Sequence, residues 1–138
     1  MLKTTIQAMQ AHAVAEFPRE CCGFVVRTAL GEVYRAVPNA SATPEDSFRI
    51  GAESYIAAED EGEILAVVHS HPRGPNGPTM ADRVGCDSSG LPWYVVPVHC
   101  DVPGVAPRAL APVGFVPDDF EAPLIGRPFA HGVLVRIS

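Results

Sequence analysis

Fourteen prolines are spread through 138 residues, and their placement limits the fold of this chain more than any other feature. A proline inside a helix removes a backbone donor and clashes with the preceding turn, so helices are confined to the stretches between prolines. Three such stretches carry helical patterns. In "KTTIQAMQAHAVAE", residues 3 to 16, Ile6, Met9, Ala13 and Val14 fall near one helical face among good helix formers. Gly51 to Glu61 reads as a second helix with Tyr55 and Ile56 facing inward, and "TMADRVGCDSSG" as a short third one. Between Pro72 and Pro78 three prolines and two glycines force a loop. Beyond Cys100 proline recurs every few residues, which favours short strands and irregular connections over helix.

The remaining segments read as strands. "CCGFVVR" and "EVYRAV" are separated by "TALG", the pattern of two strands joined by a short turn. Asn39 to Asp46 is loop, and "SFRI" after it a further short strand. "EILAVV" is a continuous apolar run, as expected of a strand covered on both faces, and "PWYVVPV" is another. The chain is sized for one core, and the expected architecture is α+β, a mixed central sheet flanked by helices.

Composition excludes some functions. Ten basic against sixteen acidic residues give a formal charge of −6, so no positive field exists for nucleic acid or an anionic membrane. No apolar run approaches the roughly 20 residues needed to span a bilayer. The first residues lack the apolar core of a signal peptide, so the expected location is a reducing cytoplasm. The cysteines, Cys21, Cys22, Cys86 and Cys100, have neither disulfide-framework nor C-x-x-C spacing and read as buried free thiols.

The chemistry concentrates where the apolar run ends. His69 and His71, at i and i+2 on an extended segment, point to the same side and can reach one ion. Asp82, returned by the proline-glycine loop, is the nearest carboxylate able to complete the set. Zinc with three such protein ligands keeps a fourth position for water, whose pKa it lowers to about 7. A non-haem iron site would use the same ligand types. Thr79-Met80-Ala81-Asp82 also fits a helix capping box, a role compatible with ligation. Glu20, by its position alone, reads equally well as a solvated charge at a strand edge. His99, Cys100 and Asp101 form a weaker cation candidate, whereas His12 and His131 read as ordinary surface or satisfied histidines. Trp93 and Tyr94 fit either core packing or the border of a groove.

"HSHPRGPNGPTMAD" matches H-x-H-x7-[ST]-x-x-D and resembles the signature of the JAMM (MPN-plus) metalloprotease family. "FPRECCGFVV" is similar to that family's upstream strand, and "LPWYVV" resembles more narrowly the JAMM domain of the phage tail assembly protein K family. The resemblance implies a JAMM/MPN, cytidine-deaminase-like fold over residues 1–110. It implies zinc held by His69, His71 and Asp82, Glu20 as general base, and Thr79 in the place of a serine that supports the oxyanion. The implied activity is zinc-dependent hydrolysis of a peptide or isopeptide bond. The substrate would be a peptide or protein, either a phage tail protein or a ubiquitin-like one. The alternative is a non-catalytic, zinc-stabilised tail assembly module. Residues 111–138, with "APLIGRPFAHGVL", resemble the linker into an NlpC-type cysteine peptidase domain, whose nucleophile would be expected just after "HGVL", where the sequence reads Val135-Arg136-Ile137-Ser138.

Overall fold

The computed structural model describes residues 1–120 and the short strand at 134–136. Chain order is α1 (Lys3–Glu16), β1 (Cys22–Thr28), β2 (Gly31–Val37), α2 (Ala52–Glu61), β3 (Gly62–His71), α3 (Met80–Ser89), β4 (Trp93–His99), β5 (Arg108–Ala109), β6 (Val113–Val116) and β7 (Leu134–Arg136). The strands form one seven-stranded sheet, ordered β2-β1-β3-β4-β6-β7, with β5 beside β4. Pairing is antiparallel for β2-β1, β1-β3, β4-β5 and β4-β6, and parallel for β3-β4 and β6-β7. This is the mixed, helix-flanked sheet expected from the sequence. The β1-β2 hairpin is closed at its tip by Thr28, whose hydroxyl donates to the Gly31 carbonyl at 2.8 Å, while Gly31 takes a φ of +123° that side chains disfavour.

Parallel strands need a long crossover, and the proline-glycine loop followed by α3 supplies it between β3 and β4. Strand alternation then divides β3 between two layers. Ala66 and Val68 join Val25, Tyr94, Val96 and Val98 under α1, which contributes Met9 and Ala13. Val67 belongs to the opposite layer, with Phe24, Val95 and Phe115 beneath Ala58 of α2 and Cys86 of α3. Both faces of "EILAVV" are therefore covered. His69 and His71, two and four residues after Val67, share its side and so face α2 and α3.

Three expectations need correction. "SFRI" is not a strand. Its backbone is claimed instead by Asn39, whose amide donates to the Ser47 carbonyl at 3.0 Å and whose Oδ1 accepts from Arg49 N–H at 3.1 Å. Ile56 does not face inward but is 59% exposed. The sheet-facing stripe of α2 runs through Tyr55 and Ala58, and Ile56 lies about 100° further round. Cys100 is exposed while Cys21, Cys22 and Cys86 are buried, because Cys100 follows the end of β4. The lead-in "APLIGRPFAHGVL", apart from Leu134, and His131 within it, lie outside the described residues.

Candidate metal centre

The site forms where β3 ends against the start of β1. Cys22 pairs with His69, and one residue along, Ser70 N–H donates to the Cys21 carbonyl at 3.1 Å while Cys21 N–H donates to Ser70 Oγ at 2.8 Å. These bonds extend the register beyond the strand. By alternation Glu20 falls on the same side as Cys22 and the two histidines. Its backbone is held by Asn39, which donates to the Glu20 carbonyl at 3.0 Å, and by a 2.7 Å bond from Glu20 N–H to the Pro44 carbonyl.

The third donor is mounted on the first turn of α3. Thr79 caps the helix, its Oγ1 accepting from Asp82 N–H at 3.1 Å, and Asp82 Oδ2 accepts in return from Thr79 N–H at 2.8 Å. The capping box is complete. The same carboxylate faces both histidines, with Oδ1 2.9 Å from His69 Nε2 and Oδ2 3.0 Å from His71 Nε2. His69, His71 and Asp82 are all buried, and one ligand atom from each lies within 4.8 Å of the others. His71 Nδ1 is 2.7 Å from the Pro75 carbonyl, so the proline-glycine loop sets that ring's orientation. Donation from Nδ1 leaves Nε2 a lone pair beside a carboxylate oxygen.

The donor set fits a divalent cation. Two imidazoles and a carboxylate converge, a combination suited to zinc, and His69 is fully buried with no hydrogen-bond partner for either ring nitrogen among the described residues. Its Nε2 is 2.9 Å from Asp82 Oδ1 without the alignment of a hydrogen bond.

Electrostatics follow from this packing. Burial drives the Asp82 carboxyl upward, but His69, His71 and the Thr79 N–H outweigh it and hold the group well below the usual carboxylate range. Burial lowers His69. His71 ends raised, because Asp82, the Pro75 carbonyl and Glu20 overcome its burial. Glu20 is only 8% exposed, and burial pushes it up to about 7, with His71 pulling down and Asp82 and Asp46 adding to the rise. Glu20, Thr79, His71 and Asp82 line one cleft of about 390 Å³, walled further by Phe48 and Trp93.

The family model "Prokaryotic homologs of the JAB domain" matches residues 2–110. The chain belongs to this family. Tail tip assembly protein K of Escherichia phage N15 is 42% identical over 132 residues, 96% of this chain and 50% of that protein. The protein of the same name from Escherichia phage lambda is 48% identical over 44 residues, 32% of this chain and 22% of that protein. The JAB-domain chain thus spans about half the length, or less, of these relatives. A solution structure from Desulfitobacterium hafniense superposes with a TM-score of 0.59 at 23% identity, over 78% of this chain and 77% of that one, which supports the fold of the JAB domain.

Of the residues singled out from the sequence, His69, His71 and Asp82 come together, and Glu20 and Thr79 line the same cleft. His99 instead pairs with Asn76 at 2.9 Å and His12 with Tyr34 at 2.6 Å, while Tyr94 is core and Trp93 both packs in the core and borders the cleft. Asn39 and Phe48 were not foreseen. Asn39 carries a local signal, an Asx turn in which Oδ1 accepts from Ser41 N–H at 3.0 Å, but nothing near Phe48 in the sequence marks it. No helix among the described residues is long and apolar enough to cross a membrane.

Proposed function

We propose that this JAB-domain chain is a zinc-dependent metallopeptidase that hydrolyses a peptide or isopeptide bond in phage tail assembly. The observation that carries the reading is the convergence of His69, His71 and Asp82 at the wall of a cleft that also holds a carboxyl poised near neutrality. His69, His71 and Asp82 would hold the metal, which when bound supplies Lewis acidity to a carbonyl and acidifies water. Glu20 takes the proton of the attacking water and passes it to the leaving amine, a task matched by its pKa of about 7. Among the described residues Thr79 Oγ1 accepts from Asp82 N–H, which leaves its O–H able to donate to the developing oxyanion. The tail setting rests on the likeness to tail tip assembly protein K, and makes a segment of a tail protein the substrate class.

Metal analysis of the purified chain, combined with cleavage assays on tail-tip polypeptides and on a ubiquitin-like protein, tests the reading. Wild type should carry zinc and cut a tail polypeptide. Glu20→Ala should keep zinc and lose turnover by about 100-fold or more, whereas His71→Ala should lose the metal itself. One observation favours a second reading. The three donors join β3 to α3, so an ion there would also staple the two elements. A zinc-loaded wild type that cuts nothing, yet unfolds on chelation, would favour that stabilised assembly module.

A further inference from the structure

We propose that Phe48 and Trp93 are positioning residues for His69, fixing its ring by aromatic contact in place of a hydrogen bond. The inference rests on the metal-site reading above. A histidine that binds a metal ordinarily donates its other ring N–H to a carbonyl or carboxylate, which sets the ring plane. His71 follows this pattern through the Pro75 carbonyl. His69 does not, since neither ring nitrogen has a hydrogen-bond partner among the described residues although the side chain is 0% exposed.

Rings surround it instead. Phe48 stacks on the imidazole with centroids 4.5 Å apart and planes 24° from parallel, and Trp93 meets it edge-on at 5.5 Å and 75°. Phe48 and Trp93 also touch each other at 5.4 Å and 60°, closing a box around His69. A box positions a ligand only if its own walls are fixed, and both are. The indole donates from Nε1 to Ser89 Oγ at 2.9 Å, and α3 presses so close that a Cβ at Gly85 would meet Trp93 Cη2 at 2.6 Å. Phe48 is held from both sides in the chain, because Asn39 binds the carbonyl of Ser47 and the N–H of Arg49. The indole, at the start of β4, is thus held by α3, and the phenyl ring by the loop after β2. The imidazole plane is set where the two meet.

The test uses the intact chain with zinc and with cobalt(II) as probes. Zinc affinity is read by competition with a chromophoric chelator, and ligand geometry by the visible absorption of the cobalt form. Phe48→Leu, which keeps bulk but no ring, should weaken zinc binding by about 10- to 100-fold and shift the cobalt bands, while Phe48→Tyr should restore both. Ser89→Ala, which frees the indole and also removes the bonds of Ser89 to the Cys86 carbonyl and the Leu91 N–H, should shift the cobalt bands in the same direction with a smaller loss of affinity. If Phe48→Leu fails to fold, Ser89→Ala carries the comparison alone, and an unchanged spectrum there overturns the proposal. Folded Phe48→Leu with wild-type affinity and an unaltered spectrum overturns it too, and leaves the metal site standing. A wild-type chain that binds neither ion sinks the metal site and this inference together.

Discussion

Glu20 is an acid kept from water beside another acid, and this has a measurable cost. Its carboxyl is pushed from near 4.5 up to about 7 by burial first and by Asp82 and Asp46 next. Because the folded form holds the proton more tightly than the unfolded one, the associated stability is full below about pH 4.5 and is lost as pH rises to about 7. At about 1.4 kcal/mol per unit, the loss is of the order of 3 kcal/mol. Metal-free wild type should therefore melt at a lower temperature at pH 8 than at pH 5, and Glu20→Gln should reduce that slope, His71, also raised, supplying a further part; thermal unfolding across the range checks it. Residues of this kind differ in legibility. His69, His71 and Asp82 could be read because strand alternation and a capped helix start fix them locally. Phe48 could not, since it meets His69 across 21 positions of chain, through a loop whose path no short pattern records.

Elements show the same division. The β1-β2 hairpin and α1 lie within a residue of their sequence-read limits, because period and turn chemistry act over a few neighbours, whereas β3 runs three residues past "EILAVV" to His71. "SFRI" has strand composition but no strand, because the Asn39 side chain takes up backbone groups that a strand would pair. Asn39→Ala leaves the carbonyls of Glu20 and Ser47 and the N–H of Arg49 without that partner. The expected cost is about 1–3 kcal/mol, together with faster amide exchange at 40–50 specifically. Equal protection in the variant would show that the loop stands without its clamp. At the α3-β4 contact the expected failure is steric. Gly85→Ala drives a methyl into Trp93 and should cost about 1–3 kcal/mol in denaturant unfolding.

Across the whole molecule the sheet separates support from chemistry. Met9 is fully buried on the inner side of α1, against the sheet face away from the histidines. Met9→Ala should lower stability by about 2–5 kcal/mol, yet leave metal affinity unchanged wherever the chain remains folded; isothermal titration with zinc below the melting range compares the two. A parallel fall in affinity would mean that the two layers are coupled through the sheet. The sheet's placement of the site could be inferred from one alternating run, whereas the clustering of Glu20 with it depended on β1 pairing beside β3, a choice made by the fold as a whole.

Asp82 begins a helix and faces two imidazoles with one carboxylate. At a position that served only to start α3, glutamate or glutamine would do as well as aspartate. Under the proposed metal role, reach and charge together narrow the choice to a single amino acid. A saturation library at codon 82, sorted once for folding and once for zinc retention, should accordingly return a broad tolerance in the first sort and a solitary survivor in the second.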